Sequence, residues 1–107
     1  MAFVYLLGDS GHDNTYKIGV TRIGIEKRIK QLQTGNSNEI YLVDFFETKY
    51  PFFLEKWLHF TFSGNKKLNE WFELSNDDVL SFKNHCTLFE NNAKSLEENP
   101  FAKKLLR

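Results

Sequence analysis

The chain has 107 residues, 41% of them hydrophobic and eleven of them Phe, with 14 Lys plus Arg against 14 Asp plus Glu. That composition excludes a disordered polymer and suits one domain with a modest core, and zero formal charge argues against a general nucleic-acid coat. Cys86, the one cysteine, excludes an internal disulfide, and with three scattered His it cannot assemble a zinc set.

The chain opens with FVYLL, a strand signal rich in β-formers, then the turn-forming GDSGHDNT, then a second strand signal, YKIGVT. A β-hairpin with a long tip is expected. Alternation puts Phe3, Tyr5 and Leu7 on one face and separates Lys17, Gly19 and Thr21 from Tyr16, Ile18 and Val20. Pairing of Tyr5 with Lys17 or Gly19 would point phenol and ammonium the same way. Gly19 inside a strand marks a place where another group approaches the backbone closely.

Next, Ile25, Ile29 and Leu32 recur at helical spacing before Gly35, which predicts a helix over Ile25 to Gln33. Lys27 and Lys30 lie away from the apolar stripe, whereas Arg28 lies beside it. Two readings of Arg28 stand: a stem packed over the core edge with its head in water, or a phosphate contact. EIYLVDFFET is a third strand with apolar residues on both faces, expected in the middle of the sheet. Pro51 opens a second helix, PFFLEKWLHFTF, on which Glu55 and His59 share a face. Glu55 sits at the edge of an aromatic core, where a carboxylate needs a partner; a plain surface Glu-His pair is the alternative.

Beyond a loop at Ser63-Gly64-Asn65, the segment Glu70 to Leu74 reads as short and buried. Ser75 with Asp78 three residues on resembles a capping box, opening a helix with Val79, Phe82, Cys86 and Phe89 inward. Cys86 is therefore a core residue. The pattern thins from Asn92, so the domain is expected over 1–92, with 93–107 a loosely held tail. Charge is unevenly spread: from Tyr16 to Thr34 five cations face Glu26 alone, and from Leu68 to Asn99 seven acids face two lysines. Either these are solvated helix faces or the front meets phosphate. With no apolar leader and no membrane-length run, an intracellular, soluble protein is expected.

Taken in order, FVY, YKIG, Arg28 in KRIKQLQTGN, LEKWLH and EWFEL, from Phe3 to about Leu74, resemble the GIY-YIG endonuclease superfamily, and most of all its small branch from phages and large DNA viruses. The resemblance implies an α+β fold: a small three-stranded antiparallel sheet flanked by helices, in the order β-β-α-β-α, here followed by a C-terminal helix. It implies a metal-dependent endonuclease hydrolysing DNA phosphodiester bonds with one divalent cation, Mg2+ or Mn2+. A binding module of the same fold with little or no catalysis is the alternative.

Carried onto this chain, the resemblance makes Tyr5 the general base or nucleophile activator, Arg28 the clamp on the scissile phosphate and Glu55 the metal ligand. Lys17 stands where the second motif has Tyr, with Tyr16 just before it; an ammonium there would lower the pKa of Tyr5 and steady a phosphate oxygen. His59 is either a hydrogen-bonding member of the catalytic set or a packing residue. Arg22, Lys27 and Lys30 are the nucleic-acid-binding cations, and Tyr16, Gly19, Asn36, Asn69, Glu70 and Trp71 support the site. The implied partner is DNA, double-stranded, with any sequence preference supplied by loops, a homodimer or a partner protein, and no membrane.

Overall fold

The computed structural model describes residues 2–68 and 70–98. Five strands, β1 (Ala2–Asp9), β2 (His12–Thr21), β3 (Ile40–Thr48), β4 (Lys66–Leu68) and β5 (Trp71–Glu73), form one antiparallel sheet in the order β3-β1-β2-β5-β4. Helices α1 (Ile25–Gln33), α2 (Pro51–Thr61), α3 (Asn76–Leu80) and α4 (Phe82–Glu98) complete the fold. The fold is thus α+β, as expected, but the sheet has five strands rather than three. The added pair, β4 and β5, is too short to show a period: three residues each.

The hairpin forms in the register that joins Tyr5 to Gly19 and Leu7 to Lys17. Its tip is shorter than expected, because β1 continues to Asp9 and β2 begins at His12. Asp9 makes this possible: its carboxylate accepts from the Gly11 amide at 2.9 Å and meets His12 Nδ1 at 3.3 Å, an Asx turn in place of a loop.

Alternation along β1 feeds two cores. Val4 and Leu6 join Ile18, Leu54, Leu58, Phe72, Phe82 and Cys86 under α2 and α4, whereas Tyr5 and Leu7 join Ile40 under Ile29 and Leu32 of α1. The strand covered on both faces is therefore β1, not β3. β3 lies at the sheet edge, where Tyr41, Leu42 and Phe45 are exposed; its doubly apolar pattern arises from burying one face while leaving large side chains on the rim.

The capping box forms as read, with Ser75 Oγ accepting from the Asp78 amide at 3.1 Å and the Asp78 carboxylate from the Ser75 amide at 3.0 Å. The helix it opens stops at Ser81, whose hydroxyl donates to the Asp78 carbonyl at 2.8 Å, and α4 restarts at Phe82. α4 then runs past residue 92, with Ala93 buried and the helix continuing to Glu98, so residues 93–98 are helix rather than tail. The rest of the expected tail lies outside the described residues. Among the described residues no helix is long and apolar enough to cross a membrane.

Candidate active site

The α1 face of the sheet brings the early residues together. Tyr5 is 1% exposed and its ring lies across Gly19, so that a Cβ there would land on the phenol. The group that approaches Gly19 closely is thus Tyr5 itself, which the absent side chain allows to lie flat on the sheet. Arg28, half-buried beside the apolar stripe of α1, donates from Nε to Tyr5 Oη at 3.4 Å and from Nη1 to Gln31 Oε1 at 3.2 Å. The Arg28 guanidinium thus has its Nε on the phenol and its Nη1 at the exposed rim, a placement compatible with either reading of this residue.

Burial raises the pKa of Tyr5 above the ordinary phenol value; the hydrogen bond and charge of Arg28 pull it back, and the charges of Glu70 and Glu55 push it further up. At neutral pH Tyr5 holds its proton. The expectation that Lys17 would lower it needs correcting, because Arg28 is the cation that acts on the phenol. Lys17 Nζ is instead 3.0 Å from Glu70 Oε2 and lies over the Trp71 ring, 5.5 Å from its centroid. Strand pairing explains this: β2 and β5 align Lys17 with Trp71, and the Ile18 amide donates to the Glu70 carbonyl at 3.2 Å.

Glu55 comes from α2. It is half-buried and makes no hydrogen bond or ion pair with the described residues. Burial raises its pKa, the like charge of Glu70 adds to that, and His59 and Lys17 oppose it. A carboxylate so placed suits a hard cation, which would supply the missing counter-charge. Among the described residues no group of three or more His, Cys, Asp or Glu could hold a metal, so an ion here would take its other oxygens from water and phosphate. The donor chemistry fits Mg2+ or Mn2+ on those terms.

His59, one turn after Glu55, is engaged by the sheet. Its Nε2 lies 2.9 Å from the Ile18 carbonyl, and its ring packs edge-on against Phe72, centroids 4.9 Å apart. A carbonyl only accepts, so Nε2 carries the proton. The contact has a clear origin: β5 pairs with β2 no further than Lys17 and the Ile18 amide, and His59 satisfies the carbonyl left beyond it.

Tyr16 packs against the α2 and α4 core, off the site face. Lys27 and Lys30 are exposed on α1, and Arg22 is exposed with its guanidinium over Phe52, 5.3 Å from the ring centroid. Asn36 lies in the turn after α1, its Nδ2 donating to the Asn38 carbonyl at 3.2 Å. Asn69 lies outside the described residues. Gln33 was missed: its amide donates to the Asn36 and Asn38 carbonyls at 3.2 and 2.7 Å and accepts from the Ile40 amide at 2.8 Å. A Gln at the last turn of a helix, followed by a Gly-Asn turn, was the available signal. Cys86 is fully buried and its thiol is pushed up to about 12, chiefly by burial, which removes it as a nucleophile.

Comparison with protein-family models matches residues 2–87 to one described as the T5orf172 domain. Comparisons with curated proteins and with solved structures give no match.

Proposed function

The chain belongs to the T5orf172 domain family, which is found in phage and related to GIY-YIG/HNH-type nucleases, and from that premise we propose that it is a metal-dependent endonuclease of the GIY-YIG kind acting on DNA phosphodiester bonds. One arrangement carries the reading: the buried Tyr5 phenol has Arg28 held against it and also feels the charge of Glu55, a carboxylate without a hydrogen bond or ion pair among the described residues.

Glu55 would hold a single Mg2+ or Mn2+, which when bound supplies charge neutralisation at the phosphate and acidifies water. The chain's own residues do the rest. Arg28 offers its remaining N–H donors to the scissile phosphate, where charge builds as the bond breaks. Tyr5 keeps Arg28 oriented through Oη and takes a proton from the attacking water only in its ionised fraction, which its raised pKa keeps small at neutral pH. His59 braces α2 on β2, so that Glu55 stays in place one turn away. Lys27, Lys30 and Arg22 meet neighbouring phosphates along the strand.

The test is nicking of supercoiled plasmid with Mg2+ or Mn2+ by the parent chain, Glu55→Ala and Arg28→Ala. Cleavage by the parent, lost in both variants and under chelation, is the expected result; undiminished cleavage by Glu55→Ala would sink the assignment. A second reading, a DNA-binding module without catalysis, is favoured by the neutralisation of Lys17 by Glu70 where the superfamily has a phenol. It is separated by salt-dependent DNA retention with no cleavage in any divalent metal.

A further inference from the structure

Next to the site, on the same sheet face, lies a cavity of about 230 Å3 between the turn at 34–36 and β5. Trp71 forms one wall, Leu32 and Ile40 supply apolar surface, and Asn36 and Lys17 supply polar groups. The shape is set in advance. Gln33 fastens the turn to β3 through three hydrogen bonds, and Asn36 is held by the Asn38 carbonyl through its Nδ2, which leaves its side-chain oxygen without a hydrogen bond among the described residues.

Size and charge together select an occupant. Sites for drug-sized ligands begin at roughly 300 Å3, so this cavity admits one ring system rather than a whole nucleotide. It carries a cation, but Glu70 neutralises that cation at 3.0 Å, so a phosphate finds no net charge to draw it in. A flat, uncharged heterocycle with hydrogen-bonding edges finds the indole surface that the Lys17 ammonium over the ring leaves uncovered, apolar walls, an amide oxygen and an ion pair. Outside, Arg28 and the exposed Lys27 and Lys30 on α1 offer positive charge to the backbone on which such a ring would hang.

We propose that this cavity takes one unpaired nucleobase of the strand being cut, stacked on Trp71, so that the substrate class is DNA with an unpaired or extruded nucleotide beside the scissile phosphate. The assignment rests on the endonuclease reading above. It explains why an aromatic residue follows Glu70 on the site face: Glu70 holds Lys17, and Trp71 supplies the stacking surface.

The experiment uses the full chain carrying Glu55→Gln and two labelled duplexes of one sequence, one fully paired and one with a single bulged 2-aminopurine. Tighter binding of the bulged duplex is expected, by about 5- to 150-fold, the range that base–aromatic stacking provides, with quenching of the 2-aminopurine fluorescence. Adding Trp71→Leu should erase the preference and leave paired-duplex affinity within about twofold, and Trp71→Phe should retain most of it. Circular dichroism checks that both variants fold. Equal affinity of the Glu55→Gln chain for the two duplexes overturns the proposal, as does a Trp71→Leu loss shared equally by both. If the preference is present but the parent cuts neither duplex with Mg2+, the cavity assignment stands and the endonuclease reading fails. If the parent cuts both duplexes alike and shows no preference, the reverse holds.

Discussion

Adding one methyl group at Gly19 tests how the site is built. A Cβ there would stand 2.6 Å from Tyr5 Cζ and 2.8 Å from Cε1, where carbon atoms need about 3.5–4.0 Å, so the ring must move by about 1 Å. It has little room, being 1% exposed and packed with Leu7 and Ile40 beneath Ile29, Leu32 and Trp71. Overpacking of this kind costs about 1–3 kcal/mol, hence a fall in Tm of about 5–20 °C. The Arg28 Nε to Tyr5 Oη contact, already 3.4 Å, would not survive that shift, and if Tyr5 and Arg28 act as proposed, a displacement of about 1 Å should lower cleavage by about 100-fold. A double-mutant cycle by urea denaturation isolates the cause. In a Tyr5→Leu background, where the outer ring atoms are gone, Gly19→Ala should be neutral or stabilising by up to about 1 kcal/mol, because Ala is the better strand residue. An equal penalty in both backgrounds would refute the claim that Gly19 exists to seat the phenol.

Other outcomes follow from the same geometry. Because burial and Glu70 raise the Glu55 pKa in the folded state, the folded chain binds that proton more tightly than the unfolded one, and stability falls as pH climbs from about 4.3 through the folded value. Glu55→Gln should therefore raise Tm at pH 7 by a few °C, roughly, with the gain fading below about pH 4; a lower Tm at pH 7 would contradict it. If phenolate Tyr5 is the base, kcat/KM should rise about tenfold per pH unit from 7 to 9, and a flat profile would remove Tyr5 from that role. His59→Phe keeps a ring against Phe72 but leaves the Ile18 carbonyl unsatisfied, at about 1–3 kcal/mol. Lost cleavage with unchanged Tm would instead give His59 a chemical role. Lys27→Ala with Lys30→Ala should weaken DNA binding and reduce the slope of log K on log salt by about 2.

What could be read in the chain was local. Ile25, Ile29 and Leu32 delimited α1, Ser75 and Asp78 announced their reciprocal cap, and alternation put Tyr5 with Leu7 on one face of β1 and Lys17 with Gly19 on one face of β2, because each signal lies within a few residues of what it governs. Features that depend on distant partners could not be read this way. That Glu70 holds Lys17, 53 positions earlier, requires β5 to pair with β2, and three residues carry no period to announce a strand. The edge position of β3 has the same origin: its pattern records how apolar it is, not which neighbours it lacks. His59 shows a third kind of limit, since spacing put it beside Glu55, and only the end of β5 explains why it turns to a backbone carbonyl.

The central position of β1 bears on how variation in this chain should be interpreted. All of its residues except Phe3 are buried, and neighbouring positions anchor opposite cores, so a mutational scan selecting only for a folded product would deplete substitutions at Tyr5 nearly as strongly as one selecting for cleavage. Intolerance at Tyr5 therefore says little about catalysis. The diagnostic positions are Arg28 and Glu55, half-exposed and dispensable to either core. Constraint there, exceeding what solubility and stability demand, would be the signature of selection on chemistry.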